Sequence, residues 1–430
     1  MSDTARHTAV VTGIGLITAL GQDLRTTFEA LCAGRSGLRR PPADHVVAGS
    51  VDVAGIAPAV AAADVLPPSE GRSVDRYVLL ALAAADAALA DAGIEIGRDV
   101  DPWRTGVVVS SGGAGLETYE DQARARHQRG RTAISPYLLP GMLPNMAAAR
   151  IAIKYGAHGH SAAIATACAA GAQSVAEALR LIRAGDADIV VCGGADAPLH
   201  PTIADAFGNA RALARGWDDP RAASRPFDER RNGFVLAEGS AVLVVERAEH
   251  ARARGAAGYA DLLGWGATTD AYRPTAPRPD GLGAVNSMRR ALTDAGLAPS
   301  DVDYVNAHGT GTKVGDIAEA KAVRAVFGDR SPAVSATKSM TGHLLGGAGA
   351  VEAGIVALSL AEGLLPPTRN LDTVGPGCEL DHITGKSRDT RVTAAVSNSF
   401  AFGGHNITLA FGQSSIPVKR LSRTTEDGHG

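Results

Sequence analysis

Cys168 lies in the run Ile164-Ala165-Thr166-Ala167-Cys168-Ala169-Ala170-Gly171. An apolar, β-prone stretch precedes it (161–167). An Ala- and Leu-rich stretch (169–184) follows, carries Glu177, Arg180 and Arg183, and stops at Gly185. This pattern predicts a buried strand, a sharp turn and a helix with a glycine stop. A thiol at a helix N-terminus faces unpaired N–H groups and the positive end of the dipole, so its pKa is expected to fall. Such a cysteine is a candidate nucleophile on a strand–turn–helix elbow. A lone cysteine is more often a small buried hydrophobe, so the assignment depends on what else the chain brings to it.

Two histidines stand in glycine-rich surroundings. Asn306-Ala307-His308-Gly309-Thr310-Gly311-Thr312 follows a strand-like run and precedes a helix beginning near Asp316. Lys338-Ser339-Met340-Thr341-Gly342-His343 leads into Leu344–Gly349 and another helix. A third strand end carries Asn398-Ser399-Phe400-Ala401-Phe402-Gly403-Gly404. Ligands in open α/β sheets collect at the carboxyl ends of strands, and glycines there let backbone N–H groups approach a substrate. Each histidine alone reads more readily as a hydrogen-bonded structural residue. Three strand-end motifs that converge on one cysteine read as a site.

The elements needed to position them alternate. Strands are predicted over 8–12, 104–110, 187–193, 240–246, 302–307, 333–336, 392–397 and 407–411. Helices are predicted over 24–32, 75–92, 169–184, 282–295, 316–327 and 348–361, which makes the class α/β. Two halves, 1–258 and 259–412, divide near 256–262, and 413–430 reads as a polar, disordered tail. Gly13-Ile14-Gly15 after the first strand lacks the third glycine of a dinucleotide fingerprint and reads as a tight strand–helix turn. The chain has 430 residues, 45% of them hydrophobic, and a net charge of −3, so it has no nucleic-acid footprint. The best apolar run, 77–85, is too short for a membrane span. Cys32, Cys168, Cys192 and Cys378 are scattered without a CxxC pair, so neither a disulfide framework nor a zinc site is indicated, and a cytoplasmic protein is expected.

With these motifs the chain resembles the thiolase-fold β-ketoacyl-acyl-carrier-protein synthases, of the elongating type with a Cys-His-His triad. The resemblance runs over about 8–412. It also includes Asp186-Ala187-Asp188 to Gly194-Ala195-Asp196 and Ser224-Arg225-Pro226-Phe227-Asp228 to Glu238-Gly239. It implies αβαβα layers, two pseudo-duplicated halves with a five-stranded mixed sheet each, and a homodimer or a heterodimer with a chain-length-factor-like subunit. It implies acyl carrier protein as partner, substrates borne on its phosphopantetheine arm, and no permanently bound cofactor. Cys168 would carry the acyl chain, and His308 and His343 would stabilise the enolate formed by decarboxylation of a malonyl-type extender. Lys338 and Glu352 would support the histidines electrostatically. The Cys168 and Phe402 N–H groups would hold the oxyanion, with Phe402 also gating the site. By the same resemblance Thr310 and Thr312 meet the pantetheine arm, Phe207, Asp270 and Phe400 belong to the pocket and its gate, and Gly113 stands where a bulky residue closes the acyl tunnel. Arg72, Arg211 and Arg215 match or adjoin carrier-docking positions. Lys313 replaces a usual proline and His405 a common threonine. A biosynthetic thiolase would carry Cys-Gly-His where this chain has Phe402-Gly403-Gly404, and His343 argues against a Cys-His-Asn synthase. A non-catalytic chain-length-factor-like subunit typically lacks the cysteine. Polyketide elongation is the expected pathway, with primary fatty-acid elongation as the alternative.

Overall fold

The computed structural model describes residues 7–67, 69–70, 74–328 and 330–421. Its strands are β1 (Ala9–Ile17), β2 (Thr105–Ser110), β3 (Ser161–Ala162), β4 (Ile189–Asp196), β5 (Gly239–Arg247), β6 (Ala260–Thr269) and β7 (Tyr304–Asn306). Then follow β8 (Ala333–Ser335), β9 (Leu364–Leu365), β10 (Asp381–His382), β11 (Arg388–Asp389), β12 (Ala394–Ala401) and β13 (His405–Gln413). The main sheet has the order β10-β8-β7-β12-β13-β6-β1-β5-β4-β2-β3, and β9 pairs with β11 apart from it.

That order is a duplication. The first half runs β3-β2-β4-β5-β1 and the second β8-β7-β12-β13-β6, with each strand in the same place in its own sequence of five. The senses agree as well: β2 is parallel to β3 and β4 as β7 is to β8 and β12, while β5 and β13 are antiparallel to both their neighbours. The two expected five-stranded sheets are joined into one, because β1 and β6 pair over Ala9–Leu262, Val10–Asp261 and Val11–Ala260.

Glycines carry the duplication at the level of contacts. Gly13 and Gly15 stand fifth and seventh in β1, Gly264 and Gly266 fifth and seventh in β6. A Cβ on Gly15 would lie 2.0 Å from the Ala84 carbonyl oxygen of helix Arg76–Ala92, and one on Gly266 would lie 2.1 Å from the Ser287 carbonyl oxygen of helix Leu282–Ala295. These pairs sit inside strands and admit a close helix, which corrects the expected tight turn at Gly13–Gly15. Gly15→Ala should therefore lower stability by about 3 kcal/mol, since neither backbone can yield. A urea midpoint within experimental error of the native one would refute this.

The central layer holds the two helices that position the chemistry. Ala170–Ala184 and Ala348–Glu362 begin with the same triplet, Ala170-Gly171-Ala172 and Ala348-Gly349-Ala350. A Cβ on Gly171 would meet Ala350 Cβ at 3.0 Å, and one on Gly349 would meet Ala172 Cβ at 2.8 Å, so the two N-terminal turns touch. Strands face cores on both sides: Val108, Leu243 and Val245 join the core around these helices, while Val107, Val109, Val242 and Val244 join the one beneath Arg76–Ala92. Burial on both faces explains why the strands read as continuous apolar runs. One segment, Leu345–Glu362, is long and apolar enough to cross a membrane, but it lies 94% buried inside the protein.

Three expectations change. The stretch before Cys168 forms a strand only at Ser161–Ala162, and Ile164 N–H donates to Ser110 Oγ at 2.8 Å instead of continuing a ladder. The last strand pair is longer than expected, so Asn398–Ala401 belong to β12. The segment from 413 is ordered to Leu421: Gly258 N–H donates to Pro417 O at 2.9 Å, Ile416 is buried, and Lys419 Nζ reaches Asp91 Oδ1 at 2.7 Å. Residues 422–430 lie outside the described residues.

Candidate active site

Cys168 sits in a single 3₁₀ turn, Ala167–Ala169, that feeds helix Ala170–Ala184. Ala167 holds φ +48°, a conformation costly for a residue with a Cβ, and this sharp turn presents the thiol. The half-buried Cys168 side chain packs against the apolar cluster that includes Phe234 and Leu345, as does that of Phe207. Burial pushes its pKa up to about 11, against the pull of Lys338 and of the Phe402 and Cys168 N–H groups; Asp196 pushes upward as well. The expected depression is corrected, because desolvation of the thiolate outweighs the helix N-terminus.

His308 follows β7. Its N–H and that of Gly309 each donate to the buried Glu319 carboxylate at 2.8 Å, which fixes the turn. His343 stands just beyond the short helix Lys338–Thr341 that follows β8, and is pinned by its N–H to Val235 O at 2.8 Å and by Ala237 N–H to its own carbonyl at 3.0 Å. The two imidazoles stand edge to face, 5.5 Å between centroids, with Phe234 against His343 and Phe400 near His308. Both rings are buried. Desolvation and the charge of Lys338 hold them well below the usual histidine range, so both are neutral near pH 7.

Lys338 is 1% exposed. Its Nζ donates to the His308 carbonyl at 2.7 Å, lies 3.4 Å from His308 Nδ1, and forms an ion pair with Glu352 from the central helix Ala348–Glu362. Burial lifts the Glu352 carboxyl above its ordinary range while Lys338 holds it back. A buried cation is tolerated only with such a partner.

Phe402 opens the turn after β12, its ring 6.1 Å from Phe207. Gly403 (φ +83°) and Gly404 (φ +73°) take conformations that favour glycine. Gly403 N–H donates to Pro274 O at 2.7 Å and Asp270 N–H to Gly404 O at 2.8 Å. The Asp270 carboxylate accepts from Asn406 Nδ2 and Arg278 N–H at 2.8 and 3.0 Å. Asp270 thereby ties the 270–278 loop to the Phe402 loop. The His405 ring lies against Gly403, where an added Cβ would meet Cδ2 at 2.9 Å.

One cavity of about 560 Å³ gathers Cys168, His308, His343, Phe402, Phe400 and Phe207 with Asp270, Thr310, Thr312, Arg211 and Lys313 on its walls. Lys338 and Glu352 stand behind it. Gly113 does not line it: it lies beyond the nucleophile turn, where its N–H donates to Asp196 Oδ1 at 2.9 Å. Arg215 is not on the wall either; its guanidinium lies over Gly208. Arg72 lies outside the described residues. Sequence reasoning gave no role to Glu319 or to the side chain of Asp196. The buried Asp196 carboxylate accepts from Ser111 Oγ and from the N–H groups of Gly112, Gly113 and Gly346, so it joins the Gly112–Gly113 loop to the foot of the second central helix. A signal existed for Asp196, a lone acid between the apolar runs 189–195 and 197–199, but not for Glu319, which stands two residues before Lys321.

The arrangement offers a thiol, two neutral N–H donors, a buried cation and backbone N–H groups around one apolar cavity. This set suits acyl transfer to sulfur and stabilisation of an enolate. Comparison with known proteins agrees. Residues 7–251 match the model of the beta-ketoacyl synthase N-terminal domain and 259–372 that of the C-terminal domain. The 3-oxoacyl-[acyl-carrier-protein] synthase 2 of Synechocystis is 41% identical over 96% of this chain and 99% of the relative. The enzyme of that name from Staphylococcus aureus is 41% identical over 94% of this chain and 100% of the relative. A solved ketosynthase in complex with its type II polyketide acyl-carrier protein superposes with a TM-score of 0.88 at 30% identity over 95% of this chain and 100% of that one. The ishigamide ketosynthase/chain length factor gives 0.87 at 33% over 96% and 100%. Duplicated topology, a cysteine elbow facing paired histidines, and matches spanning both halves have one reading: the chain belongs to the β-ketoacyl synthase family.

Proposed function

We propose that this chain is an elongating β-ketoacyl-acyl-carrier-protein synthase. The observation that carries the reading is the convergence of Cys168, His308 and His343 on one cavity with the buried Lys338 behind it. The Cys168 sulfur attacks the thioester carbonyl of an acyl group on a carrier's phosphopantetheine. The acyl–sulfur bond passes to Cys168, and the cysteine proton leaves with the pantetheine thiol. A malonyl thioester then enters and loses CO₂, and the electron pair of the broken C–C bond becomes an enolate. Its oxygen takes N–H donation from His308 and His343. The enolate carbon attacks the acyl-cysteine, the Cys168 and Phe402 N–H groups hold the transient oxyanion, and Cys168 departs as thiolate and takes up a proton. The depressed histidine pKa values fit this role, since a neutral imidazole donates its N–H to a developing oxyanion without giving the proton up. The test is incubation with acyl- and malonyl-carrier protein: the intact mass of the carrier should rise by a 3-oxoacyl group with release of CO₂.

The partners in this reading are acyl carrier protein, with Arg211 at the cavity mouth, and a second subunit, either another copy or a chain-length-factor-like chain. β3 is a two-residue strand at a free sheet edge, and Leu116, Tyr119, Tyr137, Leu139 and Ile153 are exposed on the elements of the same half. In the proposed reading these side chains face the second subunit.

Polyketide-type elongation is the reading the acyl side favours. A Cβ on Gly113 would meet only Asp196 Oδ1 at 3.4 Å and Leu116 Cδ1 at 4.0 Å, so there is room for a side chain at the position where, by the family resemblance, a bulky residue would shorten the acyl tunnel. Gly113→Ile should fold and shift the accepted acyl chains to shorter lengths, with intact mass of the acyl-enzyme as readout. An unchanged chain-length distribution would place the limit elsewhere. Primary fatty-acid elongation is the second reading, favoured by the 41% identity to the 3-oxoacyl-[acyl-carrier-protein] synthases.

A further inference from the structure

We propose that Lys313, with Arg211, binds the phosphate of a phosphopantetheine thioester at the mouth of the Cys168 cavity, and that Lys313 is a specificity-determining residue. This rests on the reading of the cavity as a thioester site and extends it to the one charged group such an arm carries.

The cavity wall grades from buried to exposed. His308 and His343 are buried, Thr310 and Thr312 are half-buried with hydroxyls 3.1 Å apart, and Lys313 and Arg211 are exposed. A pantetheine thioester grades the same way, from reacting sulfur through two amides to a terminal phosphate. With the sulfur at Cys168, the proposal sets the amides against the threonines and the phosphate against the cations.

Charge at the mouth points to the same ligand. Arg278 also lines the cavity, but its Nε is committed to Asp280 at 2.9 and 3.0 Å. Among the described residues neither Lys313 nor Arg211 has an ion-pair partner. The acids on the wall are already engaged: Asp270 with Asn406 and the Arg278 N–H, Asp316 with the Phe227 and Gly311 N–H groups, and Glu319 with those of His308 and Gly309. These three acids are buried deeper in the wall, Asp316 also facing Arg231 at 3.4 Å, so the unpaired charge exposed at the mouth is that of Lys313 and Arg211. Lys313 is also the first residue of helix Lys313–Phe327, where a cation opposes the dipole, and Thr312 provides no side-chain cap. A lysine there weakens its own helix, and an anionic ligand relieves the conflict.

The test compares two small thioesters that differ only in the phosphate, hexanoyl-phosphopantetheine and hexanoyl-pantetheine, by the rate of Cys168 acylation in the full chain. The native protein should favour the phosphorylated thioester about three- to tenfold at low salt, the size of an exposed charge-assisted contact, and the preference should shrink as salt is added. Lys313→Gln should bring the ratio of the two kcat/KM values close to one, while Lys313→Arg should retain it. An equal ratio in native protein and Lys313→Gln would overturn the proposal. So would a Lys313→Gln defect confined to carrier-protein substrates, since the lysine would then face the carrier surface. If neither thioester acylates Cys168 in the native protein, the reading of the site as a synthase falls, and this proposal with it.

Discussion

Cys168→Ala should abolish condensation, lowering the rate by about 10⁴-fold or more, and should leave no acylated cysteine in the protein. No other thiol is placed to substitute. Cys192 is fully buried within β4 and Cys378 is buried in the core of the second half. Cys32 has its pKa raised to about 12 by burial and by Glu362 and Glu29. Intact mass after exposure to an acyl thioester reads the result, and stoichiometric acylation at Cys192 or Cys378 would sink the assignment. The resting pKa adds a second arm. A thiol at about 11 is ~10⁻³ thiolate at pH 8, so alkylation of Cys168 by iodoacetamide should quicken about tenfold per pH unit up to near pH 10. A plateau below pH 8 would mean that the helix N-terminus wins over burial after all. In the proposed mechanism nucleophilicity therefore depends on the arriving substrate: thioester exchange returns the cysteine proton to the departing thiol, and the N–H groups of Cys168 and Phe402, which only partly offset burial of the thiolate, hold the oxyanion.

Much of the fold was legible, for reasons visible in particular residues. Helices Leu24–Cys32 and Leu282–Ala295 match the predicted bounds. Asp23 and Asp75 cap their helices as acidic N-caps should, and Gly185, Gly296 and Gly363 end theirs in left-handed conformations. β6 was missed because its apolar run is broken by Asp261, Gly264 and Gly266, and two of those breaks exist to admit a helix. Helix Leu116–Arg129 buries only Ala125 in this chain, so it shows no apolar stripe. The strand–turn–helix at Cys168 was read correctly as an elbow and wrongly as a strand, since only Ser161–Ala162 pair and the rest reaches the turn through Ser110.

The site was legible in its types and less so in its energetics. Histidines amid glycines mark strand ends, but their neutrality comes from burial beside Lys338, a lysine that sequence alone would place on the surface. The Cys168 pKa was misjudged for the same reason: the local helix end is visible in sequence, whereas desolvation by the cluster that includes Phe234 and Leu345 is assembled from distant segments. Asp196 and Glu319 act on backbone N–H groups of loops far along the chain and acquire meaning only when those loops meet.

His308→Ala and His343→Ala should each lower malonyl decarboxylation by about 10²- to 10³-fold, the usual effect of removing one donor from a developing oxyanion. Self-acylation of Cys168 should survive, because that step draws on the Cys168 and Phe402 N–H groups. Release of labelled CO₂ and intact mass of the acyl-enzyme separate the two half-reactions, and near-native decarboxylation in either variant would remove that histidine from the mechanism. The pH dependence follows from the direction of the shifts. Both imidazoles titrate well below their ordinary value, so the neutral donors persist across pH 6–8, and activity should fall on the acid side only below the ordinary histidine range. Lys338 supplies part of that depression by Coulomb repulsion of an imidazolium. In a Lys338→Met/Glu352→Gln pair, which removes both buried charges together, the acid limb should move up toward the ordinary histidine pKa. An unmoved limb would assign the depression to desolvation alone and leave Lys338 with the His308 carbonyl, which it holds at 2.7 Å, as its remaining hold on that loop.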